Sequence, residues 1–171
     1  MSHKIADSAD LVRASPWSRE VYAALKDWDA ARRGRWSTWE EGALMLTIDT
    51  TPGQAPCEPV NILAANHLIA FSTRRWETQL PLAGQSFEAA VEALRTLTAN
   101  WFAGEIALAA FYEGDEWKGS TPIDPKGLQH EIAAAFQWIS AQTRVDRVEI
   151  QTARRDGDQF FGLAMDGKPL S

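Results

Sequence analysis

Apolar residues recur along this chain with two alternating periods. After Ser15–Pro16, residues Trp17, Val21, Leu25 and Trp28 fall at spacings of four, four and three, one stripe along a helix. Serine as N-cap and proline at the first helical position start that helix, and Gly34 stops it. Glu20 in its first turn and Arg32–Arg33 in its last suit the helix dipole. A second stripe, Phe87, Val91, Leu94, Leu97 and Trp101, predicts a helix from Phe87 to about Ala103, with Ser86 before it and Gly104 after it. A third, Leu128, Ile132, Phe136 and Ile139, follows the cap-and-proline pair Asp124–Pro125.

Elsewhere the period falls to two, the repeat of a half-buried strand. Gly42–Thr50 sets Leu44, Leu46 and Ile48 on one face. Val60–Ala64 and Leu68–Leu80 read as consecutive strands joined by Ala65–Asn66–His67, the second long enough to bend or break near Thr73–Arg74–Arg75. Glu105–Glu113 is apolar on both faces, as in a strand covered on both sides, and Glu116–Ser120 returns along it. Arg144–Ala153 and Gln159–Met165 flank Asp156–Gly157, the strongest hairpin signal in the chain. Arg35–Glu41 reads as a connector and Thr51–Pro59, with its three prolines, as a loop. Met1–Ala14 shows no period and reads as a flexible arm or a short leading turn. The expected object is an α+β fold over residues 15–171: a single domain with a mainly antiparallel sheet and about three helices packed on it. Its one core should hold Leu46, Ile69, Phe71, Leu94, Trp101, Leu108, Phe111, Ile132, Phe136 and Ile150.

Composition narrows the class. With 45% hydrophobic and 23% charged residues among 171, the chain can bury a core rather than stay disordered. No apolar run approaches the ~20 residues of a membrane span. The polar start MSHKIADSAD has no signal-like core, and the lone Cys57 offers no internal disulfide, so a cytoplasmic location is expected. A net charge of −6 makes nucleic acid a poor partner and a basic protein an easier one. Eight tryptophans is a high count for this length; most must enter the core, and a few suit interface anchors.

Candidate chemistry is sparse. The three histidines, His3, His67 and His130, share no ligand spacing with each other or with Cys57, so no metal site and no cofactor is expected. Cys57 and His67 make a nucleophile–base dyad conceivable, with no accompanying signature. Carboxylate pairs such as Glu40–Glu41 and Asp115–Glu116 sit where turns place them. Arg74–Arg75–Trp76–Glu77–Thr78 alternates cations, an aromatic and an anion along a strand. It reads either as an exposed face with cross-strand ion pairs or as a recognition patch.

Trp76–Glu77–Thr78, Gly104–Glu105–Ile106, Phe111–Tyr112 and Trp117–Lys118–Gly119 occur in an order that resembles the small bacterial α+β immunity proteins of polymorphic and contact-dependent toxin systems. The resemblance covers about a third of the chain and implies a cytoplasmic inhibitor without enzymatic activity, its partner a basic toxin domain. The leading expectation is therefore a non-enzymatic protein-binding module, with Trp36, Trp39, Arg74, Trp76, Glu77 and Trp117 as candidate contacts. The alternative is a small-molecule or carbohydrate-binding domain, or a weak hydrolase, with tryptophans lining a pocket. A third reading is a subunit that self-associates. Concavity separates the first two: a pocket lined by tryptophan and a carboxylate points to the ligand-binding reading.

Overall fold

The two periods resolve into two antiparallel sheets. A computed structural model describes residues 8–49, 58–81, 84–154 and 157–163. The chain divides into two compact units, Met1–Thr98 and Ala99–Ser171.

In the first unit, β1 (Arg35–Thr38), β2 (Leu44–Ile48), β3 (Val60–Ala65), β4 (Leu68–Thr73) and β5 (Trp76–Leu80) lie side by side in chain order, each antiparallel to the next. The register aligns the buried positions into one face. Ala64 stands between Leu44 and Ile69, Ile62 between Leu46 and Phe71, and Val60 between Ile48 and Thr73. A slip of one residue would turn this whole face to solvent, so the alternation itself fixes the pairing. Helices α1 (Ser8–Arg13), α2 (Pro16–Leu25) and α3 (Asp29–Arg33) precede the sheet, and α2 packs on β2 and β3. Helix α4 (Phe87–Ala103) contains the boundary between the units and ends at Gly104, whose φ of +73° suits a left-handed C-terminal cap.

In the second unit the order is β7 (Glu116–Ile123), β6 (Ala107–Glu113), β8 (Arg147–Gln151), β9 (Gln159–Gly162). Helix α5 (Leu128–Ser140) packs on β7 and β6. Its Ile132, Phe136 and Ile139 meet Ala107, Ala109, Phe111, Ile123, Val148 and Ile150 in one cluster. Six of the seven β6 residues are buried, as a strand apolar on both faces requires.

The α+β class with antiparallel pairing is as the pattern predicts; three details differ. There are five α-helices among the described residues rather than about three. Ser8–Arg13 is helical inside the stretch read as an arm, and the first predicted helix breaks after Leu25 because Trp28 takes an extended conformation and starts α3. Among the described residues the sheets number two, and the residues expected in one core divide between the units: Leu46, Ile69, Phe71 and Leu94 in the first, Trp101, Leu108, Phe111, Ile132, Phe136 and Ile150 in the second. All ten are buried, so the stripes identify the buried residues and leave the count of layers open. The long Leu68–Leu80 strand breaks at Arg74–Arg75 into β4 and β5, with Arg74 at φ +46°. Residues 51–57 of the Pro-rich loop, and 155–156 of the last hairpin, lie outside the described residues. No described helix is long and apolar enough to cross a membrane.

Candidate functional site

The first unit carries a cleft of about 480 Å³ lined by Ser15, Pro16, Trp17, Trp39, Glu40, Ala43, Leu63, Ala65, Asn66 and His67. Three short elements build it. The first is the start of α2. Ser15 caps the helix by accepting a hydrogen bond from the Ser18 N–H at 3.1 Å. The fully buried Ser18 hydroxyl in turn donates to the Ala64 carbonyl at 2.8 Å, fastening α2 to β3. Trp17 is held from three sides: its indole N–H donates to the Leu68 carbonyl at 3.0 Å, Phe87 meets its ring edge-on at 5.3 Å, and His67 lies 5.5 Å away.

The second element is the turn Trp39–Ala43. Trp39 donates its N–H to the Ala43 carbonyl at 2.9 Å across the single 3-10 turn Glu40–Gly42, and the Gly42 carbonyl accepts the Ser15 N–H at 2.9 Å. Gly42 sits at φ +78°, and a Cβ there would lie 3.0 Å from the Arg13 carbonyl oxygen, so this docking requires glycine. The third element is the β3–β4 turn. Ala65 pairs with Leu68, leaving Asn66 and His67 as a two-residue turn with both φ positive, at +49° and +63°. That is the type I′ geometry whose twist matches a hairpin.

The cleft therefore presents two indole rings, one carboxylate, one amide and one imidazole. Trp39 is 54% exposed. Among the described residues none that lines the cleft is lysine or arginine.

The sequence-derived candidates scatter. Trp39 alone lines the cleft. Trp36 is 7% exposed and packs edge-on against Tyr22 at 5.0 Å, so it belongs to the core and is not open to a partner. Its face follows from pairing with Leu46 on the buried side of the sheet. Trp76 is half-buried against Phe71 at 5.6 Å, on the same face as Thr78, while Arg74 has left the strand for the turn. Glu77 is exposed on β5. Trp117 lies in the second unit, 44% exposed, its N–H donated to the Ser120 hydroxyl at 2.9 Å. The sequence reading names neither Trp17 nor Asn66 as a site residue, and takes Glu40 only as a turn carboxylate and His67 only as a base for Cys57. Trp17 counted as part of a core stripe that actually runs through Ser18, Val21 and Leu25. The sequence signal for the others is modest: Asn-His between two strands is a competent I′ pair.

In the second unit, the β6–β7 hairpin is held by charge. Lys118 Nζ lies 2.8 Å from Glu116 and 3.2 Å from Glu113. The hydrogen bond to Glu116, more than any other cause, holds its pKa above the usual lysine value of 10.5. Tyr112 donates to Glu149 at 2.7 Å, and the Arg147 guanidinium stands 4.8 Å over the Tyr112 ring. No cluster of three or more His, Cys, Asp or Glu able to hold a metal occurs among the described residues. The Cys57–His67 dyad lies partly outside them. No family model, curated protein or solved structure matches this chain.

Proposed function

We propose that this chain is a non-enzymatic recognition protein of the immunity or inhibitor type, and that it holds a partner protein through the cleft of its first unit. The observation that carries the reading is Trp39. A tryptophan left half in solvent in a cleft that a second indole also lines, on a turn tied down by backbone hydrogen bonds, suits an interface anchor. Rigid presentation lowers the ordering cost of association. The net charge of −6 raises the encounter rate with a basic partner.

The test is kinetics on a partner captured from the source cell. Trp39→Ala should speed dissociation about thirtyfold, the effect of losing a ~2 kcal/mol anchor. Added salt should slow association more than it alters dissociation. Unchanged dissociation for Trp39→Ala, with its fold intact, removes the reading.

A second reading is favoured by the concavity and by the pairing of tryptophan with Glu40: a carbohydrate-type ligand stacked on the indoles, its hydroxyls bonded to Glu40 and Asn66. Saturable binding of a simple glycoside, with no protein partner recovered, would decide for it.

A further inference from the structure

We infer that the cleft is a receptor for a cationic side chain, an arginine of the partner protein. The inference rests on the protein-binding reading and names what that partner places there. Its basis is the chemistry of the lining. Glu40 is the one carboxylate among the described lining residues, it is exposed, and none of those residues is lysine or arginine. The faces of Trp17 and Trp39 carry the negative side of the ring quadrupole, which attracts a cation placed over them. Asn66 adds a carbonyl oxygen, a further acceptor.

An anion is the competing occupant, because the cleft includes the start of α2, the positive end of a helix dipole. Three of the four N–H positions at that helix end, residues 16–19, are closed to it. Pro16 has no N–H, the Ser18 N–H is taken by Ser15 Oγ, and the Arg19 N–H by the Ser15 carbonyl. The indole N–H of Trp17 is also occupied, by Leu68. A neutral polyhydroxylated ligand can bond to Glu40 and Asn66 but brings no charge to balance the carboxylate, whereas a guanidinium brings a positive charge and five donors. Arginine is preferred to lysine because a planar guanidinium can lie flat on an indole and still direct paired N–H groups at a carboxylate.

The probe is N-acetylarginine methylamide, titrated into isotope-labelled protein while the indole N–H signal of Trp39 is followed. Its neutral isostere, the citrulline derivative, is run beside it, with methyl glucoside as a third arm. The expected result is a saturable shift with the arginine derivative and little with the other two. Glu40→Gln should weaken arginine binding about threefold, as loss of an exposed ion pair does. Equal shifts with citrulline, a shift with glucoside alone, or arginine binding unchanged in Glu40→Gln overturns the inference. Captured partner keeps this separate from the wider reading. Dissociation hastened by Trp39→Ala but untouched by Glu40→Gln overturns the cation while leaving a protein-binding cleft. Arginine binding with partner kinetics unaffected by Trp39→Ala overturns the occupant stated here.

Discussion

Trp36 and Trp39 stand three positions apart and have opposite duties, which truncation to alanine should separate. Trp36 is 7% exposed, so nearly all of its ring surface leaves water on folding. A tryptophan buries roughly 200 Å², and at about 25 cal/mol per Å² its loss approaches ~5 kcal/mol, an upper figure because the unfolded chain already shields some surface. The edge-on contact with Tyr22 at 5.0 Å adds about 1 kcal/mol. Large-to-small changes in cores give ~3–5 kcal/mol, and that is the expected cost for Trp36→Ala. Trp39 is 54% exposed, so the same arithmetic allows at most about 2 kcal/mol. Urea unfolding followed by far-ultraviolet circular dichroism measures both without relying on the indole signal being removed. With a slope near ~2 kcal/mol per molar, the midpoint should fall by about 2 M for Trp36→Ala and by under ~1 M for Trp39→Ala. Equal shifts would mean that Trp39 is packed like a core residue, and the argument for an anchor would fail with it.

Three other expectations follow from the geometry. Gly42→Ala should cost about 1–3 kcal/mol, more than Gly104→Ala; both have left-handed backbone, but only at Gly42 does the new Cβ lie 3.0 Å from a described carbonyl oxygen, and comparing urea midpoints tests this. Trp101 is 1% exposed and its indole N–H has no partner among the described residues, so Trp101→Phe should cost within about 1 kcal/mol whereas Trp101→Ala costs ~3–5 kcal/mol; near-equal losses would show that the N–H is bonded. Lys118 has its pKa raised on folding, so its pairing with Glu116 stabilises fully below the unfolded value near 10.5 and is lost as pH climbs through the folded value. As pH rises above about 10.5, wild type should therefore lose more stability than Lys118→Met, and parallel losses would refute the pairing.

What the sequence made legible follows the reach of each signal. Strand alternation and helical stripes are local, and they marked Leu46, Phe71, Leu94, Phe136 and Ile150 as buried. Whether two buried faces share one sheet depends on pairing between distant segments, which no local period encodes, so the division into two sheets was out of reach. The Trp17 stripe misled for a chemical reason. Ser18 looks polar in sequence but is fully buried because its hydroxyl finds the Ala64 carbonyl 46 residues away, and that rotates Trp17 from the core to its flank. The cleft was least legible. It joins residues 15–17, 39–43 and 63–67, brought together by β-sheet register and by the backbone bond from Ser15 to Gly42. Of the named contacts only Trp39 was found, because exposed and buried tryptophans read alike until a partner strand such as β2 assigns their face.

The Asn66–His67 turn carries one more consequence. At φ +63° a glycine would be free of the ~1 kcal/mol or so that a side chain costs in the left-handed region. Against this, His67 contributes a tilted ring contact to Trp17 at 5.5 Å, of similar size. The two nearly cancel, so folding free energy is almost indifferent to the imidazole. Drift at this position would leave the hairpin standing. The turn is thus a place where the lining of the cleft can be rewritten without endangering the scaffold, an adjustable rim on a fixed frame.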